Sequence, residues 1–396
     1  MNNQGLLPLL MLMVIFSPLA IDIFLPALPI MAEYFSVSVN QMQWSISIFL
    51  LSMGIGQLFT GPLLDRFGRK PVVLSGILIY AISSTLSALS TSAEFFLMCR
   101  MAQGFGACAI SVGAFASVRD RYGPQQSSTI FSYLNSTIFC IPALAPMLGH
   151  VLTEYFGWRS NFEFMASYAV CALCVLTLLL PETRPDSTVQ QKKLISLTSY
   201  MSVVRHPVFL FNAITAMLTM AVILAYVSSS PGWLIVQSGL DQQTFVIWFS
   251  LNAVWNIIAC AFAPKVMKKL GVRKTIESGL LLLILSGVLM VVLMGNNDVV
   301  SFMLPVMISS VGGALLMGPC AGQALSPFGN NAGVASAMFG FFQMSGAAIL
   351  ASVVQLFPLN VPEQLAFLML IFLPLYVIKK LPRVKEVLYQ LPTRQL

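Results

Sequence analysis

Stretches of about twenty apolar residues recur along the chain, separated by short polar turns, and each has the length of a lipid-spanning helix. Twelve are read, at 7–30, 43–63, 71–91, 94–118, 129–153, 162–181, 208–230, 243–264, 275–295, 300–324, 333–355 and 362–380. All are predicted to be membrane helices, and the residue-by-residue alternation of barrel strands is absent. Prolines and glycines inside the stretches are compatible with this, because neighbouring helices in a membrane satisfy the freed backbone groups. The first stretch has no basic segment before it and no clear cleavage site after it. It reads as a retained span, not a removed signal.

Composition agrees with the pattern. The 396 residues are 57% apolar and 9% charged, where a soluble domain is about a quarter charged. The net charge of +7 would suit a nucleic-acid surface, but its placement argues for topology instead. Lys and Arg concentrate in cytoplasmic loops. Here 19 of the 21 basic residues fall between spans 2 and 3, 4 and 5, 6 and 7, 8 and 9, and at or after the last two positions of span 12. Both termini are therefore predicted to be cytoplasmic, and no nucleic-acid partner is expected. The opposite loops carry mainly acids: Glu33, Glu94, Glu154, Asp241, Asp298 and Glu363. The seven cysteines lie in apolar stretches and give no disulfide framework, and Cys171 and Cys174 read as packing residues within span 6.

The halves echo each other. Gly68-Arg-Lys-Pro-Val-Val-Leu-Ser-Gly76 follows span 2, and Gly271-Val-Arg-Lys-Thr-Ile-Glu-Ser-Gly279 follows span 8. Six spans, a basic linker and six more is the layout of a transporter built from two parallel repeats. The expected division is a first bundle at 1–181, a cytoplasmic linker at 182–207, a second bundle at 208–380 and a cytoplasmic tail at 381–396.

Once loops and helix ends are set aside, two charges remain deep in spans: Asp22 in span 1 and Arg100 in span 4. At ~1.5 Å per residue, Asp22 lies roughly 12 Å and Arg100 roughly 10 Å below the outer ends of their helices. A charge at the bilayer centre costs at least ~2.5 kcal/mol, so such residues face a cavity or pair. Opposite signs at one depth make them the natural pair. Loss of water favours the protonated acid, and a nearby guanidinium favours the carboxylate. If substrate or helix movement weakens that contact, a proton is taken up. Two readings stay open, a proton switch and a permanent salt bridge locking span 1 to span 4.

Three stretches resemble the major facilitator superfamily, and within it the twelve-helix drug:proton antiporters of the Bcr/CflA type. Gly61-Pro-Leu-Leu-Asp65-Arg66-Phe-Gly68-Arg69-Lys70 matches the superfamily's loop signature. The resemblance implies a conformational latch in which Asp65 and Arg69 meet Arg119 and Asp120 at the end of span 4, and Asp65 also meets the start of span 11. Met267-Lys268 stands at the acidic position of the second copy, so only the first is expected to latch. Arg100-Met-Ala-Gln103-Gly104-Phe-Gly106 matches the family's span 4 pattern, and the resemblance gives its arginine a part in proton coupling. Asp22-Ile-Phe-Leu-Pro26-Ala-Leu-Pro29 is similar to span 1 of the subfamily. Gly157-Trp158-Arg159, Pro181-Glu182-Thr183-Arg184, Tyr226-Val-Ser-Ser-Ser230-Pro231 and Gly333-Val-Ala-Ser336-Ala337 extend the likeness over nearly the whole chain. One departure lies in span 5, where Ala145-Pro146-Met-Leu-Gly149-His150 replaces the usual double-glycine ending. Pro146 and Gly149 still allow a bend and close packing, and His150 adds an imidazole near the outer end.

The resemblance implies an all-α membrane protein with two six-helix bundles related by pseudo-twofold symmetry, enclosing a central cavity. Candidate lining residues are Tyr133 and Asn135 in span 5 and Tyr226 in span 7. Span 8 offers Trp248, Asn252, Trp255 and Asn256, and span 11 offers Phe342, Gln343 and Met344. Rings and amides together suit a small amphipathic drug, chloramphenicol-like compounds included. The expectation is a monomeric exporter in the bacterial inner membrane, partnered by lipid, drug and protons. It uses the proton gradient and no cofactor or metal. No phosphate-binding loop, zinc spacing or nucleophile elbow appears, so no enzyme activity is expected. A proton-coupled uptake symporter for a metabolite and a non-transporting sensor or scaffold stand as alternatives.

Overall fold

Inside a bilayer no water is present to hydrogen-bond a free peptide group, so a spanning segment must satisfy its own backbone. The chain does this with helices. A computed structural model describes residues 5–122, 124–185, 197–296, 298–328 and 332–380. Twelve helical spans of lipid-crossing length and hydropathy occur in it, and no strand occurs among the described residues. They are α1 (Leu6–Tyr34), α2 (Val39–Phe67), α3 (Arg69–Ala88), α4 (Ala93–Arg121), α5 (Tyr133–Phe156), α6 (Arg159–Leu179), α7 (Pro207–Gln237), α8 (Gln242–Leu270), α9 (Val272–Leu293), α10 (Val299–Leu325), α11 (Gly333–Gln355) and α12 (Val361–Lys380). The helix holding α5 begins earlier, at Pro124. A short helix, Leu197–Val204, precedes α7. Of the sequence-read linker and tail, residues 186–196 and 381–396, with Lys192, Lys193, Arg383, Lys385 and Arg394, lie outside the described residues.

Most helices run a turn or so beyond the apolar stretch, because their ends are set by caps and not by hydropathy. Five even-numbered helices start on a side chain that accepts a backbone N–H: Ser38 from Gln41, Ser92 from Phe95, Asp241 from Thr244, Asp298 from Ser301 and Asn360 from Glu363. These are the cap residues helices favour. By contrast, α3 and α9 start directly behind Gly68 and Gly271, whose φ values are +100° and +80°. That backbone is open to glycine at no steric cost. The two sequence echoes thus make the same turn.

By internal contacts the chain divides into two compact units, Met1–Ile195 with Val227–Ile257, and Ser196–Tyr226 with Ile258–Leu396. Each repeats one close approach. In the first, a Cβ on Gly76 of α3 would stand 2.9 Å from the Gly106 carbonyl of α4. In the second, a Cβ on Gly279 of α9 would stand 2.9 Å from the Gly312 carbonyl of α10. Small residues let backbones approach in this way where lipid gives no hydrophobic drive between helices.

Among the described residues four helices depart from regular α geometry, α12 by a break at Ile371. α1 passes through a tight turn at Leu25–Ala27 before resuming at Leu28. α7 ends in a wide π turn over Gly232–Gln237, and α11 carries one over Phe342–Gly346. Such π turns recur at functional sites; the second contains three of the predicted cavity residues.

These contacts predict unequal responses to one methyl group. Gly106→Ala sets its Cβ 2.6 Å from the Gly76 carbonyl and is expected to cost about 1–3 kcal/mol. Gly61→Ala, with nothing within 4 Å, is expected to leave the melting temperature in detergent unchanged. Equal melting of the two variants contradicts the packing described.

Candidate functional site

Helix α4 brings a charge to the middle of the first unit. Gly104 makes this possible, since any side chain there would overlap Ser52 and the Phe49 carbonyl of α2. One turn before it, Arg100 is wholly buried, at 0% exposure. Its Nη2 donates to the Ala20 carbonyl of α1 at 2.8 Å and its Nε to the Ser45 carbonyl of α2 at 3.3 Å. Nη1 donates to Gln103 Oε1. The Phe24 and Phe49 rings lie 4.9 and 4.7 Å from the guanidinium carbon, a favourable place for a cation. Gln103 donates onward to Ser84 Oγ of α3 at 2.7 Å. One arginine and one amide therefore tie four helices.

Asp22 closes the regular first part of α1. Pro26 has no N–H for the Asp22 carbonyl four residues back, and the tight turn at Leu25–Ala27 follows. The side chain is 3% exposed and, among the described residues, makes no hydrogen bond or ion pair. The two charges expected to pair are thus not joined here. The reason is visible: Arg100 is engaged by two carbonyls and an amide, and it grips α1 at Ala20, two residues before the acid. Close by, Gly149 of α5 lies so near α1 that any side chain would overlap the Ile23 carbonyl. Two helices therefore touch α1 on either side of Asp22. Pro146, buried one turn earlier, shares α5 with Pro142, and neither supplies a backbone donor.

The turn between α2 and α3 holds the second group of predicted residues. Arg69, 7% exposed, donates from Nη1 to Asp65 Oδ1 at 2.6 Å and from Nε to Asp120 Oδ2 of α4 at 2.7 Å. Lys70 Nζ donates to the Thr177 carbonyl of α6 at 2.8 Å. Arg66 is exposed, over the Phe67 ring at 5.4 Å, and Arg119 is exposed with no ion pair among the described residues. The resemblance also puts the start of α11 beside Asp65; residues 329–331, just before that helix, lie outside the described residues.

Sequence reasoning gave Glu182 no role, yet its carboxylate organises this turn. Oε1 accepts from the backbone N–H of Arg69, Thr183 and Arg184 at 2.9, 3.0 and 2.9 Å, and Oε2 accepts from that of Lys70 at 3.1 Å. It sits at the start of α3, where a negative charge is favoured. A Cβ on Gly68 would come within 2.5 Å of Glu182 Oε2, so that glycine serves the carboxylate as well as the turn. Arg184 Nη1 closes the loop on the Asp65 and Arg66 carbonyls at 3.2 and 2.9 Å. The available signal was the Pro-Glu-Thr-Arg run directly after span 6. In the second unit an acid from the echo itself, Glu277, gathers Arg273, Lys379 and Lys380 at 3.5, 3.8 and 4.0 Å. That turn is ion-paired too, without a counterpart of Asp65.

Of the predicted cavity residues, those in the first unit include exposed Tyr133, Asn135 and Trp255, part-buried Trp248 and Asn256, and buried Asn252. In the second unit Tyr226 is buried, and Phe342, Gln343 and Met344 are part-buried within the π turn of α11. An exposed amide at span level, such as Asn135, suits a watered wall better than lipid.

Twelve lipid-length helices with charges sunk among them, and an ion-paired turn between the second and third, define a multi-pass membrane transporter. The chain belongs to the Major Facilitator Superfamily, whose sequence pattern matches residues 10–351. It is 30% identical over 326 residues to a chloramphenicol resistance protein of Pseudomonas aeruginosa, covering 82% of this chain and 77% of that one. It is 30% identical over 338 residues to the multidrug resistance protein MdtL of Escherichia coli, covering 85% of each. Among solved structures it resembles a D-xylose–proton symporter, with a TM-score of 0.77, 14% identity and 97% and 99% of the two chains covered. It also resembles the human organic anion transporter MFSD10 (TETRAN), with a TM-score of 0.72, 17% identity and coverage of 95% and 99%. At such identities the likeness is one of fold.

Glu182 gives a pH prediction. Burial pushes its carboxyl up, but backbone N–H bonds from Arg184, Arg69, Lys70 and Thr183 outweigh this and hold it below the ordinary value of 4.5. A depressed acid contributes stability that is present above its unfolded value and lost as pH falls through its folded one. Glu182→Gln is expected to melt below wild type at neutral pH, with the gap narrowing as pH drops below 4.5. A constant gap across that range contradicts the assignment.

Proposed function

We propose that this chain exports small amphipathic drugs from the cytoplasm across the bacterial inner membrane, in exchange for protons, with Asp22 and Arg100 as the coupling centre. The observation that carries the reading is the state of Asp22: an acid out of water, beside a break in its helix, two residues along α1 from the carbonyl that a buried guanidinium grips. Without a cation on it, such a carboxyl favours its proton. With Arg100 on it, the carboxylate is favoured. A shift of α1 by a residue or so relative to α4 exchanges the Ala20 carbonyl for the carboxylate and releases the proton. The names of two relatives, a chloramphenicol resistance protein and a multidrug resistance protein, support drugs as cargo.

The rest follows from the distribution of charge. Lys and Arg on the side of the α2–α3 turn place that turn and both termini in the cytoplasm. Two six-helix halves, 1–181 and 208–380, rock about a central cavity, driven by the proton gradient and without a cofactor. The protein works as a monomer. Asp65, Arg69 and Asp120, with Gly61, Gly68, Lys70, Arg66 and Arg119 around them, form a cytoplasmic latch. Gln103, Gly104 and Gly106 hold Arg100 in place, while Pro146 and Gly149 shape α5 against α1. The wall offered to substrate comprises Tyr133, Asn135, Tyr226, Trp248, Asn252, Trp255, Asn256, Phe342, Gln343 and Met344.

An efflux-deficient host carrying the chain is expected to tolerate chloramphenicol-like drugs better than the host alone and to hold less cell-associated drug. A rise in cell-associated drug would mean uptake. In inverted vesicles with an imposed proton gradient, Asp22→Asn is expected to bring transport to background. Arg100→Lys, which keeps the charge but loses the planar fork, is expected to lower it roughly tenfold, the loss of one charge-assisted hydrogen bond. Full transport by Asp22→Asn with unchanged pH dependence removes the proton switch and leaves the acid a structural one.

A further inference from the structure

His150 follows Gly149 on α5, toward the end of the molecule opposite the α2–α3 turn. Its side chain is 19% exposed, and both ring nitrogens face an acceptor: Nδ1 lies 3.2 Å from Gln242 Oε1, and Nε2 lies 3.5 Å from Glu154 Oε2. Gln242 is the first residue of α8. Deeper in, Ser250 Oγ of α8 donates to the Ala143 carbonyl of α5 at 2.9 Å. The two links lie about two helical turns, ~11 Å, apart. They fasten the outer halves of α5 and α8 like rungs, and all four linked residues belong to the first unit, which holds α8 as far as Ile257.

A cleft of about 560 Å³ opens at the upper rung, lined by Ile30, His150, Thr153, Glu154 and Asp241 to Gln243. The charged or titratable groups facing the imidazole are Glu154 from its own helix and Asp241 from the turn before α8; α1 presents only Ile30. Hydrogen bonds to Thr244 hold the exposed Asp241 below the ordinary carboxylate range, so it remains an anion. A neutral imidazole has one N–H, and an imidazolium has two. As the groups stand, only the imidazolium donates to both Gln242 and Glu154. The neutral ring serves both only if Gln242 turns its amide over, and the link to Glu154 then ceases to be an ion pair, with only the carboxylate charged.

We propose that His150 is a proton-responsive strut of the outer gate, which in its protonated form holds α5 to the start of α8 and so keeps the outer end closed. This rests on the export reading for its orientation and its role in the cycle. External acid supplies the driving proton and also steadies the closed outer gate, so release of drug slows in acid even where the gradient is favourable. His150 is a positioning residue, since it acts through the helix contact and not on the cargo.

The test needs no transport, and so separates this proposal from the export reading. Deuterium uptake by the backbone of residues 236–245 in the full chain, reconstituted in lipid, is compared at about pH 5.5 and 7.5, on either side of the range where imidazoles titrate. Intrinsic exchange rates are corrected with an unstructured peptide. Wild type is expected to open about three- to tenfold less often at the acid pH, the net effect of one ordinary hydrogen bond on an opening equilibrium. His150→Gln, which can still bond Gln242 but does not titrate, is expected to abolish the difference. Glu154→Gln, which leaves the imidazole in place, is expected to reduce it, and Asp22→Asn to retain it. A wild-type turn whose corrected uptake is the same at both pH values overturns the proposal. So does a His150→Gln protein that keeps the wild-type difference. If His150→Gln fails to fold, Glu154→Gln with an undiminished difference overturns it equally.

Discussion

Arg100 has no water to fall back on, so every bond its guanidinium makes must come from protein. That requirement orders much of the first unit. The acceptors it uses are main-chain carbonyls of α1 and α2 and the amide of Gln103, and all must reach one point at once. Main chains come that close only where side chains are missing, which is the service of Gly104 against α2 and of Gly106 against α3. The cation is held by dipoles and two ring faces, not by an opposite charge. A cation held in this way is available to a carboxylate without first losing an existing ion pair.

The same economy appears at the α2–α3 turn, in a different form. There the charges lie near the polar boundary, and the structure uses them outright: two carboxylates on Arg69, and a third, Glu182, on the exposed N–H groups that open α3. Since Glu182 follows α6, the turn is fastened to the segment after that helix as well as to α4. The second unit solves the matching problem with a single acid, Glu277, among three cations. The repeats share the glycine turn and the glycine-on-carbonyl contact, and they differ where side-chain charge is concerned.

Which parts of this were legible in sequence follows from how local each constraint is. Twelve helices could be counted because lipid imposes the same length on every span, and the Gly68 and Gly271 turns because a positive φ leaves its residue type in the chain. Asp22 and Arg100 stood out because a charge in an apolar run has few innocent explanations. The contact Arg100 makes was not legible: hydropathy and depth place a residue along a helix, but main-chain carbonyls carry no sequence signature. Glu182 was missed for the same reason, as its four partners are peptide N–H groups that every residue but proline offers. The second half's ion cluster has no acid at the position of the first half's aspartate; its acid sits inside the next helix at Glu277, out of register with the first half.

One contact sets bounds on how such a protein can vary. At position 149 even a methyl group would collide with the peptide oxygen of Ile23, beside the acid. Neither a larger residue nor a compensating change of side chain elsewhere can relieve a clash with main chain. A few turns away on the same helix, Tyr133 and Asn135 are exposed and have room to change. One stretch of this helix therefore tolerates new side chains, while the other has room for none at all.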